Sequence, residues 1–284
     1  MMIAVTGISG QLGRLVIEQL LEKVPAGEIL GLVRDVAKVA DLAARGIQVK
    51  AADYTQPESL IAALQGVDKL LLISSSEVGK RVAQHRNVIE AAVQAKVKLL
   101  AYTSILHADR SPLGLAKEHR ETESLISASG LPYVLLRNGW YTENYAASIP
   151  AALQHGVFIG SAGEGKIASA TRADYAAAAV AVLTQDNQAG KVYELAGDEP
   201  YTLTELAAEI SLQSGKTVSY QNLPEAEFSA ALVAAGLPPV IADMIADSDV
   251  GASKGGLFDD GHQLSRLIGR STTPLAAVVK SVIK

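Results

Sequence analysis

The sequence predicts an α/β protein built on a doubly wound parallel sheet, a Rossmann fold, with a second, smaller and mostly helical lobe. Two observations support this prediction. Short apolar runs rich in β-branched residues alternate with helical patterns from the first residues to Arg137, which is typical of βαβ units. A glycine-rich turn directly follows the first apolar run, where the first βα turn of this fold lies. With 49% hydrophobic residues among 284, the chain has enough apolar surface for a large core.

The predicted strands and helices of the sheet follow one another in strict alternation. Strands are expected over residues 2–6, 28–33, 47–51, 68–73, 97–102 and 132–137. Helices are expected over residues 11–23, 36–44, 57–64, 80–95 and 115–129. The nearly continuous apolar runs at 69–74 and 99–103 suit buried central strands. Right-handed crossovers then place a ligand crevice at the carboxyl ends of the strands.

The alternation ends after Arg137, and the rest of the chain is more irregular. We expect a polar-aromatic loop over Asn138–Pro150, strands near 156–159 and 191–196, helices from Asp174 and Thr202, and a mostly helical remainder with a loop over Gly251–Gly261. These patterns predict a nucleotide-binding domain over 1–150 and a smaller substrate-binding lobe over 151–284. In the alternative division, part of 151–200 returns to the large sheet.

The composition narrows the class of partner and the cellular location. The net charge is −5 and no cluster of Lys and Arg forms a basic stripe, so we expect no nucleic-acid partner. The chain has no cysteine, and no histidine–carboxylate spacing indicates a metal site. The longest apolar run is too short to span a membrane, and the first residues lack a signal-peptide pattern. We therefore expect a cytoplasmic protein without a membrane partner, and the oligomeric state stays open.

The first βα turn carries three glycines, Gly7, Gly10 and Gly13, between a strand that ends at Thr6 and a helix. Glycine lets the backbone approach a phosphate closely, and a helix N-terminus offers unpaired N–H groups with a partial positive charge. The spacing is GxxGxxG rather than the GxGxxG of the usual fingerprint. We predict that the turn binds the pyrophosphate of a dinucleotide. The alternative is a purely structural glycine turn.

Polar or small residues also stand at the ends of the next four strands. Arg34 ends the second strand, where a guanidinium accommodates a ribose 2′-phosphate, so we predict NADPH rather than NADH. Asp53 follows the third strand and either accepts from the adenine amino group or caps a turn. Ser74–Ser76 follow the fourth strand, near the expected nicotinamide ribose, and Thr103 and Ser104 stand at the end of the fifth strand. The alternative for Arg34 is a solvated side chain, and for the serines the start of a loop.

The sequence lacks one common catalytic pattern and offers histidines in its place. No tyrosine is followed four positions later by lysine, so the tyrosine–lysine pair of many Rossmann reductases is absent. His119 is the candidate proton donor, with Glu123 one turn later on the same helix face. The alternative for His119 is a solvated charged face. His107 is a similar candidate, whereas His85 is expected to be structural.

The segment RNGWYTENY, from Arg137 to Tyr145, follows the sixth strand and holds Trp140, the single tryptophan of the chain. Because it follows a strand end, it is expected to overhang the crevice. Its aromatic side chains either stack on a flat substrate, or Trp140 joins the two lobes.

Several motifs of the chain resemble the NmrA-like branch of the atypical short-chain dehydrogenase/reductase family. They are the opening TGISGQLG, the arginine at position 34, LLLISSS, AYTS, GLPYVLLRNGWYTENY and KGGLFDD, so that the resemblance is continuous over the chain. The resemblance implies NADPH as the cofactor and reduction of a small quinone without flavin. Other members of the branch are dye and isoflavone reductases, and regulators that bind the dinucleotide without turning it over. These activities remain alternatives.

The resemblance implies that the cofactor is bound by Thr6–Leu12, Arg34, Ser74–Ser76 and the loop from Asn138 to Tyr141. Together with the residues at the strand ends, the predicted cofactor-binding set is Thr6, Gly7, Ile8, Ser9, Gly10, Gln11, Leu12, Arg34, Asp53, Ser74, Ser75, Ser76, Thr103, Ser104, Asn138, Gly139, Trp140 and Tyr141.

Overall fold

The structure is a computed structural model that describes residues 1–283 of the chain. The chain divides into two compact units. The first unit comprises residues 1–105, 118–138 and 172–193, and the second comprises residues 106–117, 139–171 and those from 194 on. Each unit therefore draws on several separate stretches of the chain. The domain boundary at residue 150 stays a prediction.

Strands among the described residues form one seven-stranded sheet and one two-stranded sheet. In chain order they are β1 (Ile3–Thr6), β2 (Ile29–Val33), β3 (Gln48–Ala51), β4 (Lys69–Leu72), β5 (Leu99–Ile105), β6 (Tyr133–Asn138), β7 (Val157–Gly160), β8 (Val192–Leu195) and β9 (Ser219–Asn222). The large sheet has the order β3-β2-β1-β4-β5-β6-β8, and the pairs from β3 to β6 are parallel. The predicted doubly wound α/β fold is thus confirmed.

The helices follow the alternation that the sequence predicted for the first half of the chain. They are α1 (Gln11–Leu20), α2 (Ala40–Ala44), α3 (Pro57–Ala63), α4 (Arg81–Gln94), α5 (Ala116–Ala128), α6 (Thr142–Ala146), α7 (Ile149–His155), α8 (Arg172–Thr184), α9 (Leu203–Ser214), α10 (Glu225–Ala234), α11 (Pro239–Ser253), α12 (Gln263–Ile268) and α13 (Leu275–Ile283).

Burial of apolar residues on both faces explains the large sheet. All residues of β1, β2 and β5 are buried, as expected for parallel strands covered by helices. The strand order reverses beside β1, because β2 pairs on one side of it and β4 on the other. In an open parallel sheet a ligand crevice forms at such a reversal, at the carboxyl ends of the strands. The fold therefore creates its crevice beside the predicted glycine turn.

The second unit contains the parallel pair β7 and β9 and most of the C-terminal helices. Helix α9 begins with a capping box, in which Thr202 and Glu205 satisfy each other's backbone N–H groups. Asp249 of α11 is buried and accepts hydrogen bonds from the hydroxyl of Tyr145 at 2.8 Å and from the backbone N–H of Ser161 at 2.9 Å. A buried polar cluster thus lies within this unit.

Two local predictions were wrong. The segment 138–150 is not one loop, because it contains α6 and the start of α7, with Pro150 in the first turn and Gly156 ending the helix at φ 72°. Proline is compatible with a first turn and glycine with a left-handed end, so both residues favour a helix there. Strand β9 was not predicted, because its sequence SYQN is polar and mostly exposed and carries no apolar alternation.

Two further boundaries differ from the predictions. The expected helix over 36–44 is a 3₁₀ turn at Val36–Val39 followed by α2, and the Asp35 carboxylate caps that turn by accepting from the N–H of Ala37. The expected loop over Gly251–Gly261 begins later, because α11 continues to Ser253. Within residues 1–283, no helix has both the length and the apolar character needed to cross a membrane. The same residues form no group of three or more His, Asp or Glu side chains suited to a metal ion.

Candidate functional site

A cavity of about 310 Å³ lies in the first unit where β1, β2, β3 and β4 end. Its volume is in the range of small-molecule sites. The lining residues are Gly7, Ser9, Gly10, Leu32, Val33, Arg34, Ala52, Asp53, Tyr54, Ile73, Ser74, Ser75, Ser76, Glu77 and Gln84. The loops after β1, β2, β3 and β4 each contribute residues to the lining, whereas Thr103 and Ser104 at the end of β5 do not line this cavity.

The glycine turn gives the cavity a wall of backbone. Gly7 has φ +64°, a conformation that favours glycine, and the N–H of Gly10 donates to the carbonyl of Gly7 at 3.0 Å. A Cβ at Gly13 would overlap the backbone of Gly7 and Ile8, so only glycine permits this close packing of α1 on the turn. Helix α1 has no side-chain cap at its N-terminus and no acidic residue in its first turn. Its unpaired N–H groups and its partial positive charge can therefore bind an anion.

Charged side chains surround the part of the cavity that lies next to the C-terminal end of β2. The guanidinium of Arg34 is 73% exposed, and its Nη1 lies 3.4 Å from Oε1 of Glu77. The Glu77 carboxylate also lies 3.4 Å from the ammonium of Lys80. Asp53 lines the cavity as well, and its carboxylate accepts from the N–H and the hydroxyl of Thr55, both at 2.8 Å. These bonds hold the pKa of Asp53 below its usual value. The turn-capping alternative for Asp53 is therefore present in the structure.

Four partners hold the serine segment, Ser74–Ser76, in place. The N–H of Ser74 donates to the hydroxyl of Thr103 at 2.9 Å, and the N–H of Ser75 donates to Nε2 of His85 at 2.9 Å. The carbonyl of Ser75 accepts from Nε of Arg81 at 2.5 Å, and the hydroxyl of Ser75 accepts from the N–H of Glu77 at 3.1 Å. The backbone of the segment is therefore fixed, and all three serines line the cavity.

A buried network stands behind the serine segment, and His85 is its centre. His85 is fully buried, and its Nδ1 lies 3.0 Å from the hydroxyl of Thr122, which donates to the carbonyl of Glu118 at 2.8 Å. Because Nε2 accepts from Ser75, the hydrogen-bond pattern assigns the ring proton to Nδ1. Burial, with a smaller effect of the Arg81 charge, lowers the pKa of His85 to about 3. His85 therefore has a structural role, as expected, because its neutral ring accepts a hydrogen bond from the N–H of Ser75.

His119, the predicted proton donor, lies on α5 and does not line the cavity. It is buried, and its Nδ1 lies 2.7 Å from the hydroxyl of Tyr102. Burial, followed by the electrostatic effects of Arg81 and His85, lowers the pKa of His119 to about 3, so that the ring is neutral near pH 7. Glu123 instead contacts Ser104 at 2.5 Å. The predicted pair of His119 and Glu123 therefore consists of two side chains with separate partners.

Several predicted cofactor residues have structural contacts of their own. The Thr6 hydroxyl accepts from the hydroxyl of Tyr54 and from the N–H of Ile73 at 2.9 Å, so it ties β1 to the end of β4. Ile8 is fully buried and packs against the backbone of Gly31. Residues of the predicted set that do not line this cavity within the first unit are Thr6, Ile8, Gln11, Leu12, Thr103, Ser104 and Asn138.

The remaining predicted residues belong to the second unit. The N–H of Gly139 donates to the carbonyl of Leu195 at 2.7 Å, and the carbonyl of Trp140 accepts from Ala170 at 3.1 Å. Tyr141 forms an isolated parallel bridge with Ala170. His107 also lies here, with its ring nitrogens 3.6 Å from Glu194 and 3.3 Å from Asp259. The stacking role of Trp140 and the catalytic roles of His107 and His119 stay predictions.

The residues that line the cavity but were not among the predicted site residues include Tyr54, Ile73, Glu77 and Gln84. Tyr54 and Ile73 are adjacent to residues that were predicted, so a wider window around each strand end would have included them. Glu77 and Gln84 lie beyond the strand ends, in the loop before α4 and in its first turn. No spacing rule relates those two positions to the crevice.

Comparison with known proteins identifies the family. The NAD(P)H-binding family matches residues 7–186. Quinone oxidoreductase 2 of Escherichia coli (strain K12) is 66% identical over 278 residues, which cover 98% of this chain and 97% of that protein. The crystal structure of Escherichia coli NADPH-dependent quinone oxidoreductase QOR2 complexed with NADPH has a TM-score of 0.98 and 65% identity, and covers 100% of both chains.

A second solved structure is also similar over its length. Triphenylmethane reductase of a Citrobacter species has a TM-score of 0.95 at 41% identity, and the match covers 100% of this chain and 99% of that one. The predicted resemblance is thereby confirmed. With a glycine turn and an arginine at the end of β2 lining one cavity, and a family match over more than half of its length, this chain belongs to the NAD(P)H-binding family.

Proposed function

We propose that this chain is an NADPH-dependent quinone reductase that passes hydride directly from the nicotinamide to a small quinone, without flavin. The observation that carries the proposal is the 66% identity, over nearly the whole chain, to an enzyme named for quinone oxidoreduction. The solved structure of that type of enzyme, 65% identical to this chain, contains NADPH. Identity at this level over the full length supports the same cofactor and the same reaction class here.

The cavity of the first unit suits a dinucleotide. The glycine turn of residues 7–13 and the uncapped N-terminus of α1 would hold the diphosphate, because several backbone N–H groups there have no side-chain partner. Gly7, Ser9 and Gly10 line the cavity directly, whereas Thr6 and Ile8 would support the turn from behind. Gln11 and Leu12 follow in the first turn of α1.

Arg34 would bind the 2′-phosphate that distinguishes NADPH from NADH. Its guanidinium is largely exposed and lines the cavity, so a phosphate can reach it without displacing apolar packing. A guanidinium forks well onto a phosphate. Asp53 lies on the same wall, where its free carboxylate lone pairs would accept from the adenine amino group.

The serine segment would form the wall beside the nicotinamide ribose. Its backbone is anchored by Thr103, His85 and Arg81, so the serine hydroxyls are held ready rather than ordered on binding. In this proposal Thr103 and Ser104 position other residues of the site and do not contact the cofactor themselves. The loop from Asn138 to Tyr141 supplies the remaining residues of the proposed cofactor-binding set.

NADPH supplies the hydride when it is bound, and the residues of the chain bind and orient the two reactants. Holding two reactants in a productive geometry is worth roughly 7–11 kcal/mol of the barrier in good cases. His119 is buried and neutral near pH 7, and burial also raises the pKa of its partner Tyr102. Neither group is therefore a ready acid, and we propose that water supplies the proton to the reduced quinone.

The test is a turnover assay with purified protein, NADPH and benzoquinone, with and without added flavin, followed by cofactor absorbance. We expect turnover that does not depend on flavin. Arg34→Gln should weaken NADPH binding roughly tenfold or more and change NADH binding little, because only NADPH carries the phosphate. Arg45→Gln removes another exposed arginine of the same unit and serves as the matched control.

The outcomes separate the rival function. NADPH binding without any turnover over a panel of quinones and dyes would favour a dinucleotide-sensing protein. No binding of either nucleotide would overturn the proposal altogether. We further propose that the partners are small molecules rather than nucleic acid and that the protein is cytoplasmic, which a gel-shift assay and cell fractionation would check.

A further inference from the structure

We propose that Glu77 sets the preference of this chain between NADPH and NADH. Its carboxylate would compete with the 2′-phosphate of NADPH for Arg34, and it would accept a hydrogen bond from the 2′-hydroxyl of NADH. The inference rests on the proposed function, because it places the adenosine ribose at the Arg34 wall.

The geometry around Glu77 supports a competition. Glu77 lines the same cavity as Arg34, and its two carboxylate oxygens lie 3.4 Å from the Arg34 guanidinium and 3.4 Å from the Lys80 ammonium. Without a ligand, the cation expected to bind the phosphate is therefore already paired with an anion of the chain. The two cations are each 73% exposed, whereas the Glu77 side chain is 37% exposed.

The backbone of Glu77 is fixed, so its carboxylate stays near the cavity. The N–H of Glu77 donates to the hydroxyl of Ser75 at 3.1 Å, and its carbonyl accepts from the N–H of Lys80 at 3.0 Å. The segment below it is anchored in turn by His85. The backbone position of Glu77 therefore keeps its side chain within reach of both Arg34 and Lys80.

Glu77 differs from the other two carboxylates near this wall. Asp35 caps the turn after β2, and Asp53 accepts two hydrogen bonds from Thr55. The Glu77 carboxylate instead lies beside two largely exposed cations, Arg34 and Lys80, so it can exchange partners more easily than the other two acids. When a phosphate binds, Arg34 changes partner and Glu77 keeps Lys80, at a cost from repulsion between the two anions. When a 2′-hydroxyl binds instead, the carboxylate serves as its acceptor.

The test is Glu77→Gln, which keeps the size of the side chain and removes its charge. We expect the dissociation constant of NADPH to fall about fivefold, because these exposed charges are partly screened by solvent. We expect the dissociation constant of NADH to rise about twofold, because a neutral amide is a weaker acceptor than a carboxylate. The ratio of the two constants should thus change about tenfold, and the change should shrink at high salt.

Glu28→Gln is the matched control. Glu28 precedes β2 at the end opposite Arg34, its side chain is 41% exposed, and its carboxylate lies 3.4 Å from the N-terminal ammonium. The ratio in this variant should equal that of the unmodified chain. In the Arg34→Gln background, Glu77→Gln cannot tighten NADPH binding by releasing a guanidinium. It should therefore tighten NADPH binding less than it does in the unmodified chain, and a double-mutant cycle measures the difference.

The outcomes distinguish this inference from the function on which it rests. If the unmodified chain binds neither nucleotide, the proposed function fails and the inference fails with it. If the unmodified chain binds both nucleotides and Glu77→Gln shifts their ratio no more than Glu28→Gln does, the role of Glu77 is overturned while the function stands. A shift toward NADPH that is clearly smaller without Arg34 supports the competition, whereas an equal shift in both backgrounds overturns it.

Discussion

Each of the two units contains a buried polar cluster with a titratable group at its centre, and the two clusters respond to acid in opposite ways. The serine-segment cluster of the first unit consists of Arg81, His85, Glu118 and Thr122, with His119 close by. The Asp249 cluster of the second unit consists of Asp249, Tyr145, Ser161 and Tyr220. Burial favours the neutral form in both, but the neutral form is the deprotonated one for histidine and the protonated one for aspartate.

The difference determines how each cluster contributes to stability. His85 and His119 each have a folded pKa of about 3, below the ordinary 6.5, so the unfolded chain binds protons first and acid removes their contribution. Asp249 has a folded pKa of about 6, above the ordinary 3.8, so the folded chain binds a proton first and acid adds to stability. The cluster that supports the proposed cofactor site is therefore the acid-sensitive one.

Acidification should produce the largest effect. The stabilisation from the two neutral histidines is fully present above about pH 6.5 and is lost as the pH falls toward 3. A pKa shift of one unit corresponds to about 1.4 kcal/mol, so the combined loss amounts to several kcal/mol. Urea denaturation at a series of pH values measures it. A free energy of unfolding that stays constant between about pH 6.5 and pH 4 would contradict the neutral assignment.

His85→Leu should have the next largest effect. The change leaves the N–H of Ser75 and the hydroxyl of Thr122 without their imidazole partner, which should lower the free energy of unfolding by about 2–4 kcal/mol. NADPH affinity should fall as well, because the serine segment loses an anchor. His155→Leu, at an exposed position on α7, is the control for urea denaturation and NADPH titration. If the two variants had the same free energy of unfolding and the same NADPH affinity, His85 would have no role in supporting the site.

Asp249→Asn should change the second unit without touching the cofactor site. The variant removes the carboxyl whose pKa is about 6, so stability should no longer fall as the pH rises from about 4 to 6. The pH-dependent change in the free energy of unfolding that disappears in this variant is about 3 kcal/mol. The acid loss caused by the histidines should then appear steeper than in the unmodified chain. Asp243→Asn, an exposed position on the same helix, should keep the original pH dependence.

Thr122→Val should have the smallest effect and tests the hydrogen bond between His85 and Thr122. Valine leaves the Nδ1–H of His85 without an acceptor, which should cost about 1–2 kcal/mol of unfolding free energy. Thr184→Val is the matched control, because both hydroxyls donate to a carbonyl four residues earlier at 2.8 Å and only Thr122 also meets a histidine. A loss in Thr122→Val no larger than that in Thr184→Val would show that the hydrogen bond between His85 and Thr122 contributes no net stability.

Much of the candidate site followed from the order of strands and turns along the chain. Gly7, Gly10, Arg34, Asp53 and the serine segment were predicted from their positions at strand ends, and all of them line one cavity. Parallel strands end at the same edge of a sheet, so linear order alone brings these residues together. The predictions were weaker for helices, because a helix presents side chains in every direction around its axis.

The histidines show where reasoning from sequence stopped. His119 stands among charged residues, which favoured either catalysis or a solvated face, and it is in fact buried against Tyr102 of β5. The bond depends on how α5 packs on the sheet, which the local pattern does not encode. The same holds for the contact between His85 and Ser75.

The sequence by itself determined the α/β fold, the glycine turn and the series of polar strand ends, because strand and helix periodicity and glycine spacing are local properties of the chain. Only the tertiary structure decided which charges meet and which groups are removed from water. Arg34 and Glu77 are 43 residues apart and become partners across two loops of the sheet. The pKa values of His85, His119 and Asp249 depend on burial, and burial is a property of the packed whole rather than of any segment.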